Sequence, residues 1–145
     1  MSKLTDLQAF NAMRIYLEKY YEETASDDVG SLLGDLFFLP SGGTADPAAW
    51  YSWIKSIEKV QQQEILQNNK LTIVQSFNAM KFFLEKFYEE SHWNDIGLIL
   101  RKLQPSGKDH STDPVVWQNW MICVQKAIEL GEHKELLILN NHEEN

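Results

Sequence analysis

Two stretches of the chain carry the same arrangement of hydrophobic and polar positions, 67 residues apart. The first reads LTDLQAFNAMRIYLEKYYEETASDDVGSLLGDL and later DPAAWYSW, and the second reads LTIVQSFNAMKFFLEKFYEESHWNDIGLILRKL and later DPVVWQNW. Aligning Leu4 with Leu71 leaves no gap through Lys59 and Lys126. A match of this length predicts a duplicated unit, and the shared positions show what that unit requires.

Each unit opens with a strong helix signal. A threonine is followed three residues later by a glutamine, the spacing at which each side chain meets the other's free backbone N–H; the pairs are Thr5 with Gln8 and Thr72 with Gln75. Hydrophobic residues then recur at spacings of three and four: Leu7, Phe10, Met13, Leu17 and Tyr20, and their counterparts Val74, Phe77, Met80, Leu84 and Phe87. The pattern predicts amphipathic helices over 5–23 and 72–90.

Two shorter helices follow in each unit. The second begins at a polar cap, Ser26-Asp27-Asp28 or Asn94-Asp95, and ends near Leu36 or Leu103. The third begins where an aspartate precedes a proline, because the aspartate accepts free N–H groups and proline suits the first helical position; these starts are Asp46-Pro47 and Asp113-Pro114. Each third helix carries two tryptophans on one face, which we interpret as core residues: Trp50 and Trp53, and Trp117 and Trp120.

These elements predict an all-α fold in which two tandem three-helix repeats, residues 1–67 and 68–131, pack as one compact helical domain. Polar residues 61–70 are expected to contain the linker between the repeats, and Gly131 is a good cap for the last helix. An acidic tail follows at 132–145, and its apolar run 135–139 fits either a helical turn or a strand against a partner. The pattern leaves open whether a pseudo-twofold axis or a translation relates the repeats.

Charge and composition favour a protein partner. The 145 residues carry a net charge of −8, which opposes nucleic-acid binding because a phosphate backbone needs lysine and arginine to displace its counterions. The sequence has no secretory signal pattern and no apolar run of membrane-spanning length, so we expect a cytoplasmic location and no membrane contact. Residues 1–67 carry a net charge of −5 and residues 68–131 carry zero. Copies that began with equal charge have diverged, which predicts different surface roles for the two repeats.

The sequence contains no arrangement typical of catalysis or of a bound cofactor. The four histidines lie apart and show no metal-ligand spacing, and Gly42-Gly43 lacks the lysine of a phosphate-binding loop. Cys123 is the single cysteine and lies in an apolar stretch, as a buried small hydrophobic residue would. Paired acids such as Glu22-Glu23 lie at a helix end, where they are ordinarily solvated. We therefore expect no enzyme activity, no metal and no cofactor.

Residues 4–57, and more loosely 71–124, resemble a known family. Phe10-Asn-Ala-Met13, Leu17 to Thr24, Ser26 to Leu36 and Thr44-Ala-Asp-Pro-Ala-Ala-Trp50 resemble the bacterial immunity proteins of contact-dependent growth inhibition and related polymorphic-toxin systems. The resemblance implies a cytosolic antidote that binds one cognate toxin domain, often a nuclease such as an RNase, and blocks its active site. It implies no catalytic residue and no cofactor.

The acidic balance fits this interpretation, since an acidic inhibitor complements a basic nuclease groove and is steered towards it. The alternative is a helical adaptor or structural interaction module without a toxin partner. The two differ in their partner, because an immunity protein has one tight, basic and toxic partner encoded beside it. The sequence does not indicate an oligomeric state.

Contact with the toxin is predicted mainly on the acidic helix ends of the first repeat. The candidates are Glu22, Glu23, Asp27, Asp28 and Asp35. Asn94 and Lys102 replace Asp27 and Asp35 in the second copy, so the fold does not require an acid at those two positions. Trp93 is a sixth candidate: it stands where the first copy has Ser26, so we expect an exposed tryptophan that anchors an interface.

Overall fold

The computed structural model of the chain describes residues 3–63, 70–105 and 112–131. Within these ranges it contains six α-helices and no strand beyond two isolated bridges. The helices are α1 Asp6–Thr24, α2 Asp27–Leu36, α3 Pro47–Gln63, α4 Ile73–Ser91, α5 Asn94–Leu103 and α6 Pro114–Leu130. None of the helices in the described ranges is both long enough and apolar enough to span a membrane. The prediction of an all-α fold is confirmed.

The predicted helix signals lie where the helices begin and end. Both capping boxes form: Gln8 N–H donates to Thr5 Oγ1 at 3.1 Å, and the glutamine side chain accepts from the threonine N–H at 3.0 Å, with the same pair of bonds in α4. Asp113 accepts the N–H of Val115 at 2.8 Å at the start of α6, and Gly131 caps its end. Every helix of α4–α6 begins and ends 67 residues after its counterpart in α1–α3, so the local sequence sets the length of each helix.

The helices of the two repeats interleave. The third helix of each repeat packs chiefly on the first helix of the other, so α3 lies along α4 and α6 lies along α1, while α2 contacts α5. Leu4 and Leu71 are equivalent positions and bond to each other reciprocally, with N···O distances of 2.8 and 2.7 Å. A translation would not bring equivalent residues together, so the two halves are arranged about a pseudo-twofold axis.

Two tryptophans form the centre of the core. Trp53 and Trp120 are fully buried, and their indole N–H groups donate to Asp6 O at 3.0 Å and to the equivalent Ile73 O at 3.3 Å. The prediction that all four third-helix tryptophans pack inside is confirmed for these two. Trp50 and Trp117 are only half-buried and cover the edge of the core.

The linker residues 64–69, the segment 106–111 and the tail 132–145 lie outside the described residues. The predictions for the linker and for the apolar run 135–139 therefore stay predictions. The boundaries of the repeats likewise remain an interpretation of the sequence.

Candidate functional site

A cleft of about 270 Å³ lies where the end of α2, the start of α3 and the end of α4 meet. We call it the acidic cleft, because Asp35, Asp46 and Glu90 supply carboxylates to its lining. No lysine, arginine or histidine lines it within the described part of the chain. The cleft joins helices of both repeats, since α2 and α3 belong to the first and α4 to the second.

Asp35 lies in the last turn of α2, where an acid is electrostatically unfavourable. A helix C-terminus carries partial negative charge and favours a cation, as in α5, whose last turn holds Arg101 and Lys102. Burial, and then the nearby carboxylate of Asp46, raise the pKa of Asp35. The negative charge of Asp35 has no ion-pair partner among the described residues.

Asp46 fixes the other side of the same cleft. Its carboxylate accepts the N–H of Ala48 at 3.0 Å at the start of α3, and its own N–H donates to the backbone carbonyl of Asp35 at 3.2 Å. This backbone bond ties the end of α2 to the start of α3 and holds the two carboxylates near each other. Glu90 approaches from the last turn of α4, where it is exposed. The cleft therefore lies beside the C-termini of α2 and α4, which carry partial negative charge, and beside the N-termini of α3 and α5, which carry partial positive charge.

Aromatic rings form the apolar part of the lining. Trp93 packs edge-to-face on Phe87, with ring centroids 5.3 Å apart and planes at 75°. Phe83 packs against the buried Trp53 at 6.2 Å, which connects the cleft to the core. Trp93 was predicted to be exposed; it is half-buried because Phe87 offers it a ring to pack on. A face of apolar rings beside uncompensated carboxylates suits a ligand that is both apolar and cationic.

The pseudo-twofold axis generates a second cleft of about 360 Å³, which we call the neutral cleft. Each residue of the acidic cleft can be compared with the equivalent residue of the other repeat, which lies 67 positions away in the sequence. Lys102 stands in place of Asp35, and the rings of Tyr16 and Tyr20 stand in place of Phe83 and Phe87. Asp113 and Glu23 correspond to Asp46 and Glu90 and are retained. This correspondence lets one cleft serve as a reference for the other.

The neutral cleft is lined by two lysines as well as by two acids. The Lys102 ammonium lies 5.5 Å from the centroid of the Tyr20 ring. Lys19 also lines this cleft and donates to Asn119 Oδ1 at 3.3 Å, linking α1 to α6. Its counterpart Lys86 is exposed and does not line the acidic cleft. The two clefts therefore have equivalent positions in the fold but different charge balance.

Asp28, a predicted contact residue, has a structural role. Its carboxylate accepts the N–H of Asp95 at 3.1 Å, and the carboxylate of Asp95 accepts the hydroxyl of Ser26 at 2.5 Å. Ser26 also caps α2, whereas its counterpart Trp93 makes no side-chain cap at the start of α5. Asp28 supplies the missing cap from the other repeat. This bond accounts for its position without a partner.

The six predicted contact residues do not form one surface. Asp35 and Trp93 line the acidic cleft together, and Glu23 lines the neutral cleft. Glu22 and Asp27 are exposed and line neither. Sequence reasoning missed Asp46, which it interpreted as a helix cap, and Glu90, which lies at a helix end of the second repeat, whose net charge is zero.

The described residues hold no group of three or more histidine, cysteine or acidic side chains placed to bind a metal ion. Burial raises the pKa of Cys123 to about 11, so its side chain is a thiol at neutral pH and packs as a small hydrophobic group. His92 ends α4 in a left-handed conformation, while His110, His133 and His142 lie outside the described residues.

Comparison of this chain with protein-family models, with curated proteins and with solved structures finds no match.

Proposed function

We propose that this chain is a bacterial immunity protein, which binds one cognate toxin domain and neutralises it by blocking its active site. The toxin is a basic domain, with a nuclease such as an RNase as the leading class. The observation that carries this proposal is the acidic cleft, where Asp35 and Glu90 are uncompensated by the described residues beside three aromatic rings. A binding protein retains such a charge arrangement when a cationic partner completes it.

The overall charge supports a basic partner. A nuclease active site attracts phosphates and is therefore positive, and an acidic inhibitor presents negative charge where the substrate would lie. Long-range attraction between a chain of net charge −8 and a positive groove accelerates their encounter, and this acceleration weakens as salt rises. Fast capture suits a protein that protects a cell from a toxin already inside it.

The same observations favour binding over catalysis. The cleft holds acids and the hydroxyls of Ser52 and Ser91, but no hydrogen bond joins either hydroxyl to a carboxylate among its described residues, and Cys123 is buried outside its lining. We therefore propose that the chain acts in the cytoplasm without turnover of its own and without a cofactor.

The direct test is a growth assay on the polypeptide encoded beside this gene. Expressed alone, the neighbouring polypeptide should arrest growth, and co-expression of this chain should restore it and yield a stable complex on purification. An unrelated helical protein of similar size and charge is the control, because rescue by that protein would reduce the effect to charge alone. A harmless neighbour that does not bind the chain would instead favour the helical adaptor.

A further inference from the structure

The neutral cleft contains a lysine, Lys102, at the position that Asp35 occupies in the acidic cleft. Lys102 extends from the last turn of α5, and its ammonium lies beside the Tyr20 ring. Glu23 and Asp113 supply carboxylates to the same cleft. An aromatic face and carboxylates together stabilise an ammonium or guanidinium group, the first through the ring quadrupole and the second through charge. The chain thus carries an internal cation in one of its two related clefts.

The acidic cleft is lined by residues at equivalent positions but lacks that cation. It keeps a ring at the Tyr20 position, Phe87, and keeps both acids at the equivalent positions, Asp46 and Glu90. It has Asp35 where the neutral cleft has Lys102, and it gains the ring of Trp93, whose counterpart Ser26 is buried and caps a helix. Relative to the lining of the neutral cleft, that of the acidic cleft lacks two lysines and has one additional acid and one additional aromatic ring.

We propose that the acidic cleft is a receptor for a single lysine or arginine side chain of the partner protein, an inference that rests on the proposed function for the existence of that partner. The aliphatic part of the side chain lies against Phe87 and Trp93, and its charged end meets Asp35, Asp46 and Glu90. In this arrangement the partner supplies in trans what Lys102 supplies within the chain.

Size and charge both match this occupant. The cleft of about 270 Å³ lies just below the roughly 300–1,000 Å³ of sites that hold drug-sized ligands and has room for one long side chain. Among the described residues Asp35 and Glu90 form no ion pair, while Asp46 accepts the N–H of Ala48. A cation bound in the cleft would form an ion pair with Asp35, which otherwise lies near the like-charged carboxylate of Asp46.

The test uses the whole chain and small probes that carry only the side chain in question. Acetyl-lysine methylamide and acetyl-arginine methylamide are titrated into the labelled protein, with acetyl-norleucine methylamide as the uncharged match for the aliphatic stem. The readout is the indole N–H resonance of Trp93, one of five tryptophans, assigned by its loss in Trp93→Phe. We expect a saturable shift with a midpoint on the order of 1 mM, the affinity of a very small ligand. Comparing the two charged probes decides between ammonium and guanidinium.

Matched variants locate the binding site. Asp35→Lys reproduces the residue that the neutral cleft carries and should weaken the probe at least tenfold, as should Asp35→Asn, which changes fewer atoms. Glu89→Lys makes the same change of charge at an exposed position that lines neither cleft and should leave the midpoint within about twofold. The proposal is overturned if norleucine shifts Trp93 as the charged probes do, or if the folded Asp35 variants bind as the unmodified chain does.

These outcomes separate the receptor from the proposed function. A saturable, Asp35-dependent response to the lysine or arginine probe supports the receptor even if the neighbouring gene encodes no toxin. If Asp35→Lys neutralises the toxin as well as the unmodified chain does, the immunity function stands and the role of the cleft in partner binding is refuted.

Discussion

Trp53 joins the two repeats, and its replacement by alanine should remove a large part of the stability of the fold. The side chain is fully buried, donates to Asp6 O in its own repeat and packs on Phe83 of the other. Truncating a buried tryptophan to alanine lowers the free energy of unfolding by about 3–5 kcal/mol. We expect a loss of about 4 kcal/mol for Trp53→Ala, which includes the lost hydrogen bond. Whole domains are stable by only about 5–15 kcal/mol, so the variant should be marginal.

Urea denaturation followed by circular dichroism measures this loss. With a urea dependence of about 2 kcal/mol/M for a chain of this size, the unfolding midpoint of Trp53→Ala should fall by about 2 M. Trp120→Ala should behave similarly, since it removes the equivalent bond to Ile73 O. Trp50→Ala is the matched control: its ring is half-buried, so about 2 kcal/mol is expected. Equal midpoints for Trp53→Ala and Trp50→Ala would refute the assignment of Trp53 to the joint between the repeats.

Three further predictions concern the helix ends and the cleft. Gly97→Ala should lower the urea midpoint more than Gly30→Ala. Each new methyl group meets a tyrosine ring at 2.9 Å, but the tyrosine beside Gly30 is 41% exposed and can move, whereas the tyrosine beside Gly97 is half-buried. A larger loss for Gly30→Ala would contradict this reasoning. Asp28→Ala should cost about 1 kcal/mol in the same titration because it removes a helix cap, while the exposed Asp27→Ala should cost less than about 0.5 kcal/mol, and equal losses would refute the capping role. Because the folded-state pKa of Asp35 is raised, the ionised carboxylate destabilises the fold, and Asp35→Asn should be more stable than the unmodified protein at pH 7. This difference in stability should shrink as the pH falls through the raised pKa towards 3.8. A difference that stays constant with pH would show that the carboxylate charge is not its cause.

The sequence predicts the helices well because their signals are local. A threonine and a glutamine three residues apart satisfy each other's N–H groups whatever surrounds them, as Thr5 and Gln8 do. Proline after Asp113 sets its own backbone angle. Such signals need no knowledge of the rest of the chain. The packing partner of each helix depends instead on surfaces far apart in sequence, and the pairing of α3 with α4 across the repeats could not be read from either copy alone.

The candidate site was predicted only where the copies differ. Asp35 and Trp93 were found because Lys102 and Ser26 replace them in the other copy, which frees both positions from the needs of the fold. Asp46 recurs as Asp113 and was interpreted as a helix cap, which it also is. A residue that serves both the fold and the cleft gives no contrast between copies. The cleft becomes visible only when α4 of one repeat is placed beside α2 and α3 of the other.

The affinity of the chain for its neighbour-encoded partner, measured by calorimetry for the unmodified protein, Asp35→Lys and Glu89→Lys, tests the central claim most directly. The claim is that an acidic cleft recognises a basic toxin domain. Losing one member of a buried charge pair costs about 2–5 kcal/mol, so Asp35→Lys should weaken binding by about 30-fold or more, while Glu89→Lys should stay within about threefold. If Asp35→Lys is folded and binds the partner as tightly as the unmodified chain, the acidic cleft is not where the toxin is recognised.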